Sequence, residues 1–175
     1  MVAWKRLAAA AALSTTMFAG VAAAAPLTEE QRTVVQVFEA PGADKQTIYT
    51  AGRQWIAENF RSAKAVIEYE SNDEGTIIGN GVMNYPCSGA WDCLGKPDWK
   101  VPFTMRLEAK DERFRLTFTN VHLSWPPSVN AGIRQPGHDA PVSSTKDMAK
   151  IKPKLLEFGE EIKTSLSSRK ADDNW

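Results

Sequence analysis

Hydrophobic positions along the chain fall into two periods, and the changes between them lay out the elements. Val66–Tyr69 and Thr76–Tyr85 are rich in β-branched and aromatic residues and read as two strands. Ser71-Asn72-Asp73-Glu74-Gly75 lies between them and supplies a turn, since Asn, Asp and Gly tolerate positive φ or bond their own backbone. Period-2 alternation then appears twice. In Val101–Glu108, Val101, Phe103, Met105 and Leu107 alternate with Pro102, Thr104, Arg106 and Glu108. In Phe114–Val121, Phe114, Leu116, Phe118 and Asn120 alternate with Arg115, Thr117, Thr119 and Val121. Lys110-Asp111-Glu112-Arg113 makes the hairpin loop between them. Such alternation describes an antiparallel sheet with one face buried and one in water.

Helical spacing frames these strands. Thr33–Glu39 is a short β-branched run, broken by Pro41-Gly42. Asp44 is placed to cap a helix, on which Ile48, Gly52, Trp55, Ile56 and Phe60 share a face. Gly52 costs about 1 kcal/mol of helix propensity against Ala, which points to a close approach of helix and sheet there. Near the end, Ser144 and Asp147 resemble a capping box before Met148, Ile151, Leu155, Phe158, Ile162 and Leu166. Pro153 predicts a kink or fresh start near Lys152, with the helix proper over Lys154–Ser167 in a helical region of about 144–168 and fraying over Arg169–Trp175. The order β-α-β-β-β-β-α gives an α+β fold, an antiparallel sheet of four to five strands with two helices on one face.

Composition and the N-terminus narrow the setting. At 175 residues, 43% hydrophobic and 24% charged, the chain suits one globular domain, expected over 25–175. Residues 1–24 read as a cleaved signal peptide: Lys5 and Arg6 open it, Leu7–Ala19 is apolar, and cleavage after Ala24 uses Ala22 and Ala24 as the small pair. The alternative is an uncleaved anchor, for which the apolar run is short. Cutting there leaves 19 basic residues of the original 21 against 21 acidic ones, a net charge of −2. No cysteine stands near the cut to carry a lipid, so no stable membrane anchor is expected after cleavage. The chain is expected to be exported, to the periplasm in a Gram-negative cell and otherwise secreted. Near-neutral charge without a basic stripe gives no reason to expect nucleic acid as a partner.

Four pieces together resemble a bacterial family known as domain of unknown function 4468: the break at Pro41-Gly42, Trp55-Ile-Ala-Glu-Asn-Phe60, the hairpin Val66-Ile-Glu-Tyr-Glu70 through Gly75-Thr-Ile-Ile-Gly79-Asn-Gly81, and Arg113-Phe-Arg-Leu-Thr-Phe118. They span about Thr33 to Val121. The resemblance implies a TATA-binding-protein-like fold, a curved antiparallel sheet backed by helices. It implies no catalytic residues, and a fold's name does not import DNA binding. The Cys-bearing segment before Val101 and the Pro-rich segment after Val121 depart from the family's pattern.

The candidate chemistry lies mostly in those two segments. Cys87 and Cys93, in CSGAWDC, are expected to pair in an oxidising compartment, contributing about 2 kcal/mol through loop entropy. Their C-x5-C spacing is not that of a redox motif. Trp91, Trp99 and Trp125 stand on loops with prolines and are the candidate binding residues, since Trp offers large contact area at low entropy cost; the alternative is that they close the end of the core. His122 and His138 match no familiar zinc spacing with the cysteines, and no metal or cofactor is expected. His138 reads as an exposed loop residue and His122 as a strand end. Glu68, Glu70, Arg106, Glu108, Arg115, Thr117 and Thr119 are expected on the open sheet face, as a wet mixed-charge surface or a polar binding face. Carboxylate pairs Glu29-Glu30, Asp73-Glu74, Asp111-Glu112 and Glu160-Glu161 fall in loops or on an exposed helix side, without the unlike environments that acid–base catalysis needs. Serine-hydrolase, P-loop and zinc-protease motifs are absent. Pro126, Pro127, Pro136 and Pro141 favour an extended crossing from sheet to final helix, or a binding loop, over Ser124–Ser143.

The expected function is non-enzymatic binding of a protein, peptide or small ligand through loops 86–100 and 124–143 or the open face. The rivals are an envelope hydrolase with a loop-borne site and a structural assembly subunit.

Overall fold

The computed structural model describes residues 25–60, 67–130 and 132–172. The signal segment, Val66 and the last three residues of the expected C-terminal fray lie outside them. A short helix α1 (Glu29–Arg32), closed by a Thr28/Gln31 capping box, leads into strand β1 (Val34–Glu39). Helix α2 (Lys45–Asn59) starts where Asp44 Oδ1 accepts from the Thr47 N–H at 2.7 Å. Then come β2 (Ile67–Ser71), β3 (Thr76–Asn84), a one-turn helix α3 (Ala90–Leu94), β4 (Lys100–Lys110) and β5 (Arg113–Thr119). Four short strands follow: β6 (His122–Trp125), β7 (Ser128–Asn130), β8 (Ile133–Gln135) and β9 (His138–Pro141). Helix α4 (Thr145–Asp172) ends the chain's described part.

The strand order is β1-β5-β4-β3-β2, every neighbour antiparallel, with β6 joined to β4 at Lys100↔Ser124 and β9 paired to β6. The sheet therefore has seven strands, and β7–β8 form a separate two-stranded ribbon. The strands beyond the predicted four to five come from 122–141. The segment expected as an extended crossing over Ser124–Ser143 instead folds back on itself: Trp125↔His138 closes one ladder, and the β7–β8 ribbon projects past it.

The core lies between the sheet and two helices on one side. Val101, Phe103, Met105, Leu107 and Ala109 of β4 meet Phe114, Leu116 and Phe118 of β5, and α2 covers them with Ile48, Ala51, Trp55 and Ile56. Gly52 brings α2 close: a Cβ there would lie 2.5 Å from Leu107 Cδ1. Helix α4 packs beside α2 and over β1, burying Met148, Ile151, Leu155, Ile162 and Leu166.

Three expectations about element detail are corrected. Helix α4 is one continuous helix through Pro153 and runs to Asp172, because its apolar stripe is buried on both sides of the proline. Several buried aliphatic side chains at about 1.5–3 kcal/mol each outweigh the roughly 3 kcal/mol that Pro costs. Asn120 does not continue the inward row of β5. Its left-handed φ of 50° turns the chain, so Val121 is buried and Asn120 exposed. Glu70 is not on the open face either. A bulge between Ile67 and Tyr69 flips the later residues of β2, and Glu70 meets Arg53 of α2, Nε to Oε2 at 2.8 Å.

Candidate binding surface

The sequence from Pro86 to Trp99 folds into a tight cap at one end of the sheet. Gly89 (φ 78°) starts α3, and the Cys87–Cys93 disulfide ties the segment before the helix to its last turn, Cα to Cα 5.1 Å. Asp92 is the centre of this cap. Its carboxylate accepts from Lys150 Nζ of α4 at 2.6 Å, Lys96 Nζ at 2.7 Å and the Ser88 N–H at 3.0 Å. Lys150, then Lys96 and Ser88, hold the Asp92 carboxyl well below the usual carboxylate range. Tyr85, buried at the end of β3, donates its hydroxyl to Asp147 Oδ1 at 2.6 Å, and burial followed by Asp147 raises its phenol. Asp147 in turn donates its backbone N–H to Ser144 Oγ, so only half of the expected capping box forms. Its carboxylate is engaged by the tyrosine instead.

The three candidate tryptophans divide. Trp99 and Trp125 stack with ring centroids 4.3 Å apart and planes 11° off parallel, and Tyr85 meets Trp99 edge-on at 5.6 Å. His138 continues the column on Trp125 at 4.0 Å. Lys96 Nζ lies 4.7 Å from the Tyr85 ring centroid and 4.9 Å from that of Trp99, a cation–π arrangement. Trp99 and Trp125 are half-buried and pack against the core, so they join the β6–β9 ladder to the β3–β4 end of the sheet. Trp91 stands apart on α3, 88% exposed, and Leu94, one helical turn on, is 72% exposed.

The same end carries a second apolar projection. The ribbon β7–β8 continues from the Trp125↔His138 pair, and Val129 (68%) and Ile133 (64%) are exposed on it. Val129 is opposite Arg134 and Ile133 opposite Asn130, which places the two apolar residues on opposite faces of the ribbon. Sequence reading did not single out Leu94, Val129 or Ile133. The i, i+3 spacing of Trp91 and Leu94 was visible, but it carries meaning only once a helix is known there.

His122 begins β6, and its Nδ1 lies 2.8 Å from Asp139 Oδ1; His138 is exposed, on β9 rather than in a loop. On the open face a polar row runs from the turn after β5 across three strands: Asn120 Nδ2 donates to Thr104 Oγ1, Thr104 Oγ1 to Asn80 Oδ1, and Asn80 Nδ2 to Glu68. Arg115 Nη2 pairs with Glu108 at 2.7 Å, with Arg106 Nε 3.7 Å from the same carboxylate. Glu29 and Glu30 open α1, Asp73 and Glu74 lie in the β2–β3 turn, Asp111 Oδ1 accepts from the Lys45 N–H, and Glu161 Oε2 accepts from Trp55 Nε1 at 3.0 Å. Among the described residues no three His, Cys, Asp or Glu side chains gather as a metal site, and no helix is long and apolar enough to cross a membrane.

Residues 35–124 match the domain of unknown function DUF4468 with a TBP-like fold. The chain belongs to this family. A DUF4468 family protein from Bacteroides ovatus superposes with a TM-score of 0.53 at 15% identity, covering 82% of this chain and 88% of that one. A TBP-like protein from Parabacteroides distasonis superposes with a TM-score of 0.59 at 9% identity, over 82% of this chain and 97% of that one. At such identities the likeness shows the fold alone. No curated protein matches the chain. The DUF4468 match runs from β1 into β6, so the α3 cap lies inside it and β7, β8, β9 and α4 follow it.

Proposed function

We propose that this DUF4468 protein is an exported, non-enzymatic binding domain that takes a protein or peptide partner at the end of the sheet bearing α3 and the β7–β8 ribbon. One observation carries the reading. Among the described residues the four most exposed large apolar side chains, Trp91, Leu94, Ile133 and Val129, all project from that end. Exposed apolar groups clustered on one part of a surface mark contact sites, and Trp is the residue most often found as an anchor. Rigidity adds to the argument. The disulfide, the Asp92 carboxylate with its two lysines and the aromatic column hold the cap in place, so little conformational entropy is lost when a partner docks. Trp99 and Trp125 act here as the column that fixes the cap, and Trp91 as the contact residue. Asp92, held low by its lysines, and Tyr85, raised by burial and Asp147, both serve this locking network, which favours a binding role over the hydrolase alternative. The leader at 1–24 and the paired cysteines support export.

Photo-crosslinking in the producing cell tests the reading. A photoreactive residue at Leu94 or Val129 is expected to give a discrete crosslinked product, while one at Lys152 on α4 gives none. Trp91→Ala should weaken that product while leaving the circular-dichroism spectrum unchanged. Equal products from all three sites, or none from the cap and ribbon, would overturn it. Intact-mass measurement of the released protein checks export through loss of residues 1–24.

A further inference from the structure

At the opposite end of the sheet, the β4–β5 hairpin carries a cationic recess that the reading above does not use. On the face away from the helices, Val37, Glu108, Lys110, Arg113, Phe114 and Arg115 line a hollow of about 250 Å³. Its charges are unevenly matched. Arg115 is taken by Glu108, and Asp111 in the hairpin turn is taken by the Lys45 N–H. Lys110 and Arg113 stand directly opposite one another in the β4–β5 register, and among the described residues neither has an ion-pair partner. Glu39 faces Arg113 across β1–β5 without forming a salt bridge. Like charges directly opposite in a sheet repel, and an anion between them turns that repulsion into attraction. Beside the two cations Val37 is 46% exposed and offers an apolar wall.

We propose that this recess binds a small amphipathic oxyanion. Its carboxylate or phosphate head sits between Lys110 and Arg113, and its apolar body lies on Val37. The planar guanidinium of Arg113 suits a two-oxygen head through paired N–H donors, while Lys110 adds a point charge. The modest volume limits the ligand to a single short chain or ring.

Titrating the labelled mature protein with octanoate, octyl phosphate and inorganic phosphate, followed by NMR, tests this. At least one octyl compound is expected to shift the Arg113 side-chain N–H and the Val37 methyl signals saturably, and inorganic phosphate to bind more weakly than it. Which octyl compound binds identifies the head group. Arg113→Gln and Lys110→Gln should each weaken binding about tenfold, the scale of one lost charged hydrogen bond, while Lys152→Gln changes nothing. Absence of saturable shifts, phosphate binding as tightly as the octyl compounds, or unchanged binding in both variants would overturn the proposal. Both substitutions are on the surface, so they leave the fold available as a control.

Discussion

Gly159 sits where α4 crosses β1, and a Cβ there would lie 2.0 Å from Cζ of the Phe38 ring. Phe38 is buried and stacked on Phe114 at 5.1 Å, so it has no free direction in which to move. Gly159→Ala would gain about 1 kcal/mol of helix propensity but should lose about 1–3 kcal/mol to overpacking. A lower urea midpoint at unchanged slope is the expected result. Gly52→Ala is expected to be milder, because the atom it meets is the terminal methyl of Leu107. Asp92 is sensitive to pH in a defined direction. Its folded carboxyl is held below the ordinary range, so its stabilising contribution is complete above the unfolded value of about 3.9 and is lost only as pH falls towards the lower folded value. The Ser88 amide, which donates to Asp92, reports this by NMR. Its shift should stay flat through the pH range where ordinary aspartates protonate, and a midpoint at the usual aspartate pH would contradict the lock.

At the scale of elements, α4 makes the clearest demand. Pro153 is exposed and leaves the Ala149 carbonyl without its helical donor. Pro153→Ala should therefore raise stability by about 1–3 kcal/mol, read as a higher melting temperature, with the same buried stripe retained. The elements legible in the sequence were those whose signal is local: the alternation of β4 and β5, the Asp44 cap of α2, the close approach at Gly52 and the apolar spacing of α4. What was not legible depends on partners distant in the chain or on conformations hidden by a stronger local pattern. The bulge in β2 is made by ordinary residues, and it alone sends Glu70 to Arg53. Asn120 takes a left-handed φ inside an alternating run. Strand β6 is four residues long, too short to show a period, and the prolines around β7–β9 resembled a crossing while their backbones paired. For the candidate site, the sequence identified the tryptophans and the cysteines. It could not separate Trp91 from the Trp99–Trp125 column, because that stacking is set by β6 lying beside the start of β4.

The whole molecule is two layers with different ends. The cap and ribbon end is apolar and held by a disulfide, a carboxylate hub and stacked rings; the hairpin end is cationic and open. Between them runs a sheet whose strands β2, β3, β4 and β5 pair in sequence order, while β1 joins only β5, with Val34 opposite Phe118. This pairing has a consequence in time. The meander of β2 to β5 closes through two tight turns and the disulfide-tied segment 85–99, whereas β1 can dock only after most of the chain has been gathered, at a larger loop-closure cost. Folding is therefore expected to nucleate in the meander, with β1 arriving late. In rapid-mixing experiments Leu107→Ala should chiefly slow folding and Val34→Ala chiefly speed unfolding. The opposite assignment would mean that β1 and β5, distant in the chain, meet first, and that β1, rather than the hairpins, is the element on which the sheet is built.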